Sequence, residues 1–150
     1  MNTDQIKIFV MITKKMFSSV TIALSLIVSV SILSSCGPVI DKLIDKIVVE
    51  ANKQCPISLD SETRLDSITH PEKGILKYSH TLINLTGEEL EVDKDKIIPA
   101  LKNIAIDNLK NTTISELKAI LKLNAIFRYT YYDKNGELLF SFDVTPEEYK

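Results

Sequence analysis

AIFRYTYYDKNGELLFSFDVT, residues 125–145, is the stretch that decides the fold. Apolar and polar residues alternate on both sides of Asn135-Gly136, and Asn-Gly between two alternating runs is the strongest short-range hairpin signal. The pattern predicts a strand over 125–133, a turn over 133–136 and a second strand over 137–145. Successive side chains in a strand point to opposite faces. Phe127, Tyr129 and Tyr131 therefore share a face on one strand, and Leu138, Phe140, Phe142 and Val144 on the other. Cross-strand aromatic pairs of this kind contribute about 0.2–1 kcal/mol each. Arg128, Thr130, Tyr132, Ser141 and Asp143 then face outward, and Pro146, which has no N–H to donate, stops the second strand.

Upstream, 63–70 and 75–84 read as another hairpin, joined by the turn residues His70-Pro71-Glu72-Lys73-Gly74. Leu76, Tyr78, His80 and Leu82 fall on one face of its second strand; Ile75, Lys77, Ser79, Thr81 and Ile83 fall on the other. His80, on the more apolar face, is expected to be an interior, hydrogen-bonded histidine. Helices are expected on either side of this hairpin. Val39, Ile40, Leu43, Ile44, Ile47, Val48 and Ala51 recur at three- and four-residue steps after Pro38, which suits a first helical turn. Ile97, Ile98, Leu101, Ile104, Ala105 and Leu109 do the same over 94–109, with Pro99 near the start. Thr113-Ile114-Ser115-Glu116 reads as a capping box opening a short helix that Asn124 ends. Residues 85–93 read as a polar loop. The order α-ββ-αα-ββ predicts an α+β two-layer sandwich: a four-stranded antiparallel sheet with helices on one face. The other face would show Arg64, Asp66, Lys77, Thr81, Arg128, Thr130, Ser141 and Asp143. Either it is a solvated surface, or Arg64, Asp66, Arg128, Tyr132 and Asp143 form a partner surface, arginine beside tyrosine being favoured at interfaces.

The N-terminal third has a different character. Lys14 and Lys15 precede an uncharged apolar run, residues 16–33, that ends in Leu33-Ser34-Ser35-Cys36. A basic start, an apolar run and small residues make a secretory signal. The four-residue ending resembles the lipobox of bacterial lipoproteins. That resemblance implies cleavage before Cys36, diacylglycerol on its thiol and acylation of the new amine. Acyl chains bury about 0.8 kcal/mol per CH₂, so two or three hold a domain durably on a bilayer. The competing reading is an uncleaved signal-anchor helix, since a run this long just spans a bilayer. The expected division is a signal peptide over 1–35, with Met11 a more ordinary start than Met1, and one α+β domain over 36–150. Gly37 is not the aspartate that retains many enteric lipoproteins at the inner membrane, so the resemblance points to the outer membrane, facing the periplasm. Cys55-Pro56, Thr63-Arg64-Leu65-Asp66 and Tyr78-Ser79-His80-Thr81 also resemble the pattern of a class of small bacterial exported proteins, with His80 in place of an aromatic. That likeness implies no activity.

Removing 1–35 takes away Lys7, Lys14, Lys15 and Asp4, leaving a domain more acidic than the whole chain, whose formal charge is −2. No basic block remains, which argues against a nucleic-acid partner. The two cysteines are Cys36 and Cys55; with lipid on the first, the second has no disulfide partner. Cys55 then reads as a small buried hydrophobe rather than a nucleophile, although His70 and His80 are conceivable bases. Four glycines, no phosphate loop, no Ser/His/Asp pattern and no metal spacing argue against an enzyme and against a cofactor other than the acyl group on Cys36. The expectation is a membrane-anchored binding or assembly accessory with a protein partner in the envelope. The alternative is an inhibitor or immunity protein of an envelope-targeting enzyme, which would use the loop 85–93.

Overall fold

The computed structural model describes residues 38–91 and 94–150. The apolar run and Cys36 lie outside the described residues, and none of the described helices is long and apolar enough to cross a membrane. Helix α1 is Pro38–Asn52, followed by strands β1 (Ile57–Ser58), β2 (Thr63–Thr69) and β3 (Ile75–Leu82). Helices α2 (Gly87–Glu91), α3 (Lys94–Lys110) and α4 (Ser115–Lys122) come next. Strands β4 (Ile126–Tyr132) and β5 (Leu138–Val144) and the short helix α5 (Pro146–Tyr149) complete the chain.

The architecture is α+β, but the sheet is five-stranded and mixed rather than four-stranded and antiparallel. Its order is β1-β2-β3-β4-β5. The two expected hairpins are present as antiparallel pairs, and β3 and β4 join them side by side in parallel, Tyr78 opposite Tyr129. The cause is the connection. After β3 the chain passes through α2, α3 and α4 and returns to the end at which β3 began, and such a crossover delivers a parallel strand. The fifth strand, β1, pairs Ile57 with Leu65 and Ser58 with Arg64.

Three local expectations are corrected. The loop 85–93 contains α2. The capping box at Thr113 does not form: α4 starts at Ser115 after Ile114, with no side-chain cap. Glu148 instead reaches back to the Thr145 N–H at 3.0 Å, at the start of α5. Leu138 is 62 % exposed instead of facing the core, because the β4–β5 register slips between Tyr131 and Tyr132 and Leu139 becomes the buried residue. The turn before it holds Gly136 at φ 85°, and the Asp133 carboxylate accepts the N–H groups of Asn135 and Glu137 at 2.7 and 2.9 Å.

One apolar cluster fills the space between helices and sheet. It takes Ile44 and Ile47 from α1, Ile97 and Leu101 from α3, Ile120 from α4 and Tyr149 from α5. The sheet contributes two aromatic rows, each crossing three strands. Tyr78, Tyr129 and Phe142 stack with centroids 5.2 and 5.3 Å apart; His80, Tyr131 and Phe140 stack at 4.8 and 4.7 Å. These separations lie in the favourable range for offset aromatic pairs.

Candidate partner surface

The opposite face of the sheet is built from the alternate residues of the same strands. Strand register arranges them in three rows. One row is Arg64, Thr81 and Tyr132; the second is Ser67, Ser79, Thr130 and Ser141; the third is Lys77, Arg128 and Asp143. The middle row has short side chains and hydroxyl ends, with Thr130 Oγ1 and Ser141 Oγ 3.1 Å apart and Ser141 donating to the Tyr129 carbonyl at 3.0 Å. The outer rows carry the charges, Arg64 in one and Lys77, Arg128 and Asp143 in the other. The result is a hydroxyl row between two ridges, a trough running across the strands that Lys77 of one ridge crosses to reach Tyr132 of the other.

Each ridge is held by ion pairs. Arg128 donates to both Asp143 carboxylate oxygens, Nε at 2.8 Å and Nη2 at 3.0 Å, while Nη1 donates to Glu72 at 3.0 Å. Two-pronged guanidinium–carboxylate bonding fixes orientation as well as charge. Hydrogen bonds to Asp143 first, and to Glu72 second, raise the Arg128 pKa further above its already high ordinary value. On the other ridge Arg64 pairs with Asp66, whose second oxygen accepts the Thr81 hydroxyl at 2.6 Å. Lys77 is aimed at Tyr132, with Nζ 3.5 Å from its hydroxyl and 6.0 Å from the ring centroid.

The five residues singled out from the sequence thus lie on one face, in two groups. Arg64 and Asp66 form one pair, Arg128 and Asp143 the other, and Tyr132 lies in the Arg64 row. Asp66 sits at a register shift in β2, between Leu65 and Ser67. The hydroxyl row was missed as a unit. Its members come from four strands, and only the parallel β3–β4 register aligns Ser79 with Thr130. Cys36 lies outside the described residues. Cys55 is half-buried, and burial first, then the Asp66 carboxylate, pushes its thiol pKa up, which disfavours the thiolate a nucleophile needs. His70 lies between Asp41 and Asp45 of α1, and His80 lies in the aromatic stack.

Known structures share this fold. A Pseudomonas aeruginosa protein described as a candidate secreted protein superposes with a TM-score of 0.62 at 14% identity, covering 79% of this chain and 99% of its own. The Vibrio vulnificus type 2 secretion system pilotin EpsS does so with a TM-score of 0.59 at 11% identity, covering 76% and 94%. The Vibrio cholerae type II secretion system pilotin AspS reaches 0.54 at 11% identity, covering 75% and 94%. No curated protein matches the chain in sequence. Residues 39–140 match one family, which takes in α1 and all five strands up to the middle of β5, and the chain belongs to that family, described as a domain of unknown function (DUF8479).

Proposed function

We propose that the protein is an envelope accessory held on a bacterial membrane by acyl chains on Cys36, which grips a protein partner in the trough of its open sheet face. The observation that carries the partner site is the trough itself. Its ridges are held in place by ion pairs before any partner arrives, so binding loses little side-chain freedom there. The lipid anchor is supported by the apolar run and the Leu33-Ser34-Ser35-Cys36 ending, and the envelope role by the fold likeness to two secretion pilotins. The reading is of a binding protein rather than an enzyme, and needs no cofactor beyond the acyl group. The membrane it assigns is the outer one, with the domain in the periplasm.

Capture from detergent-solubilised envelopes tests it. Wild type and the double variant Arg128→Ala, Tyr132→Ala are compared under the same wash. Both residues are partly exposed, and exposed ion pairs contribute only about 0–1 kcal/mol to folding, so the double variant keeps its melting temperature nearly unchanged. Loss of two interface anchors weakens capture by about 2 kcal/mol or more. A folded double variant that retains the same proteins as wild type removes the trough as the partner site.

A further inference from the structure

We infer that one end of the sheet, the end formed by the Pro71–Gly74 turn, the α4–β4 junction and residues 145–150, is the face turned towards the bilayer. The inference rests on the lipid anchor proposed for Cys36. It adds which part of the domain meets the membrane.

Covalent reach is the first argument. α1 begins at Pro38, two residues after Cys36. Consecutive Cα atoms are about 3.8 Å apart, so the anchored Cα lies within roughly 8 Å of the start of α1. The start of α1 is not free to choose its neighbours. Asp41 Oδ1 accepts the Gly74 N–H at 2.9 Å, and His70 Nδ1 lies 2.7 Å from Asp45 Oδ1, with its Nε2 3.2 Å from Asp41 Oδ1. The turn in its place is bound to the sheet, since the Ile126 N–H donates to the Gly74 carbonyl at 2.9 Å. Val144 is opposite Phe127 at the same end, and Tyr149 donates to the Ala125 carbonyl at 2.9 Å, which brings the C-terminal residues there too. A lipid on Cys36 therefore pulls this end, and no other, to the membrane surface.

Charge is the second argument, independent of the first. The far end of the sheet bears Asp60, Glu62, Glu88, Asp133 and Glu137 against Arg64 and Lys134. The near end is closer to balance, with exposed Lys42, Lys73, Lys122 and Lys150 beside Asp41, Asp45, Glu72, Glu147 and Glu148. Anionic headgroups attract nearby lysines and repel acids over about a Debye length. An anionic surface thus repels the far end more strongly than the near end. β4 alone separates the two by roughly 20 Å at about 3.3 Å per residue.

The test uses the full chain, processed in cells, purified in detergent and returned to vesicles of phosphatidylethanolamine and phosphatidylglycerol. Cys55→Ala removes the free thiol, and a single reporter is placed at Lys73→Cys or at Asn135→Cys and labelled with a fluorophore. Mass spectrometry reads the lipid on Cys36. A headgroup-labelled nitroxide lipid then quenches each fluorophore according to its distance from the surface. The expected result is lipid on Cys36 and quenching at position 73 several-fold stronger than at position 135. Lipid present with equal or reversed quenching overturns the orientation and leaves the anchor standing. A chain without lipid overturns the anchor, and the orientation with it.

Discussion

At the scale of single residues, His80 is the most consequential side chain in the core. Its ring is 3 % exposed, stacks on Tyr131, and has no hydrogen-bond partner at Nδ1 among the described residues. The sequence showed that it would be interior, from its phase with Leu76 and Leu82. It did not show that the ring would also stack on Tyr131. Burial favours the neutral ring and lowers its pKa from 6.5 to about 4, opposed weakly by Asp66 and by a hydrogen bond to the Thr130 backbone. The folded state thus binds this proton less readily than the unfolded chain does. The associated stability is fully present above the unfolded value of 6.5 and drains away as pH falls towards 4. The shift corresponds to roughly 3 kcal/mol at most. Urea midpoints of wild type should therefore fall between pH 6.5 and 4, and those of His80→Phe, which keeps a ring in the stack, should fall less. Parallel curves for the two proteins would mean that the histidine proton is not what acid attacks.

Elements were legible where a local signal governed them. α1 spans the range its apolar period marks, and both hairpins stand where Gly74 and Gly136, each at positive φ, allow the chain to turn. Alternation failed at the start of β5, because a one-residue slip in register reverses every side chain before it and nothing in Leu138-Leu139 says which leucine goes in. The structure makes that choice testable. Leu139, 8 % exposed and in the apolar cluster, should cost about 2–5 kcal/mol when changed to alanine. Leu138→Ala should change stability by no more than about 0.5 kcal/mol. Chemical denaturation of the two variants decides it, and a larger loss at Leu138 would restore the uninterrupted alternation.

For the whole molecule, the strand order was the part least visible in sequence. Each hairpin is local, and its pairing can be read from its turn. The β3–β4 pair is not local, because three helices intervene and no residue in either strand marks the other as its neighbour. The proposed partner surface was accordingly legible as two charged pairs, while the hydroxyl row that joins them depends on that distant pairing. The proposed anchoring, by contrast, rests on one motif, and it predicts a sharp result. Cys36→Ser should abolish incorporation of labelled palmitate and leave an unprocessed precursor that runs larger on a gel. Label retained in that variant would end the lipoprotein reading.

The parallel seam also governs when the protein can become itself. Contacts between strands far apart in sequence are the slow ones to form, since the entropy of closing the long intervening loop is lost before the contacts repay it. Strand β3 stays half-paired until β4 is available, and the outer rows of the trough are split between the two hairpins until then. For a chain exported as proposed, no finished sheet then stands in the way of its passage, and the proposed binding surface is complete only after nearly all of the chain has arrived.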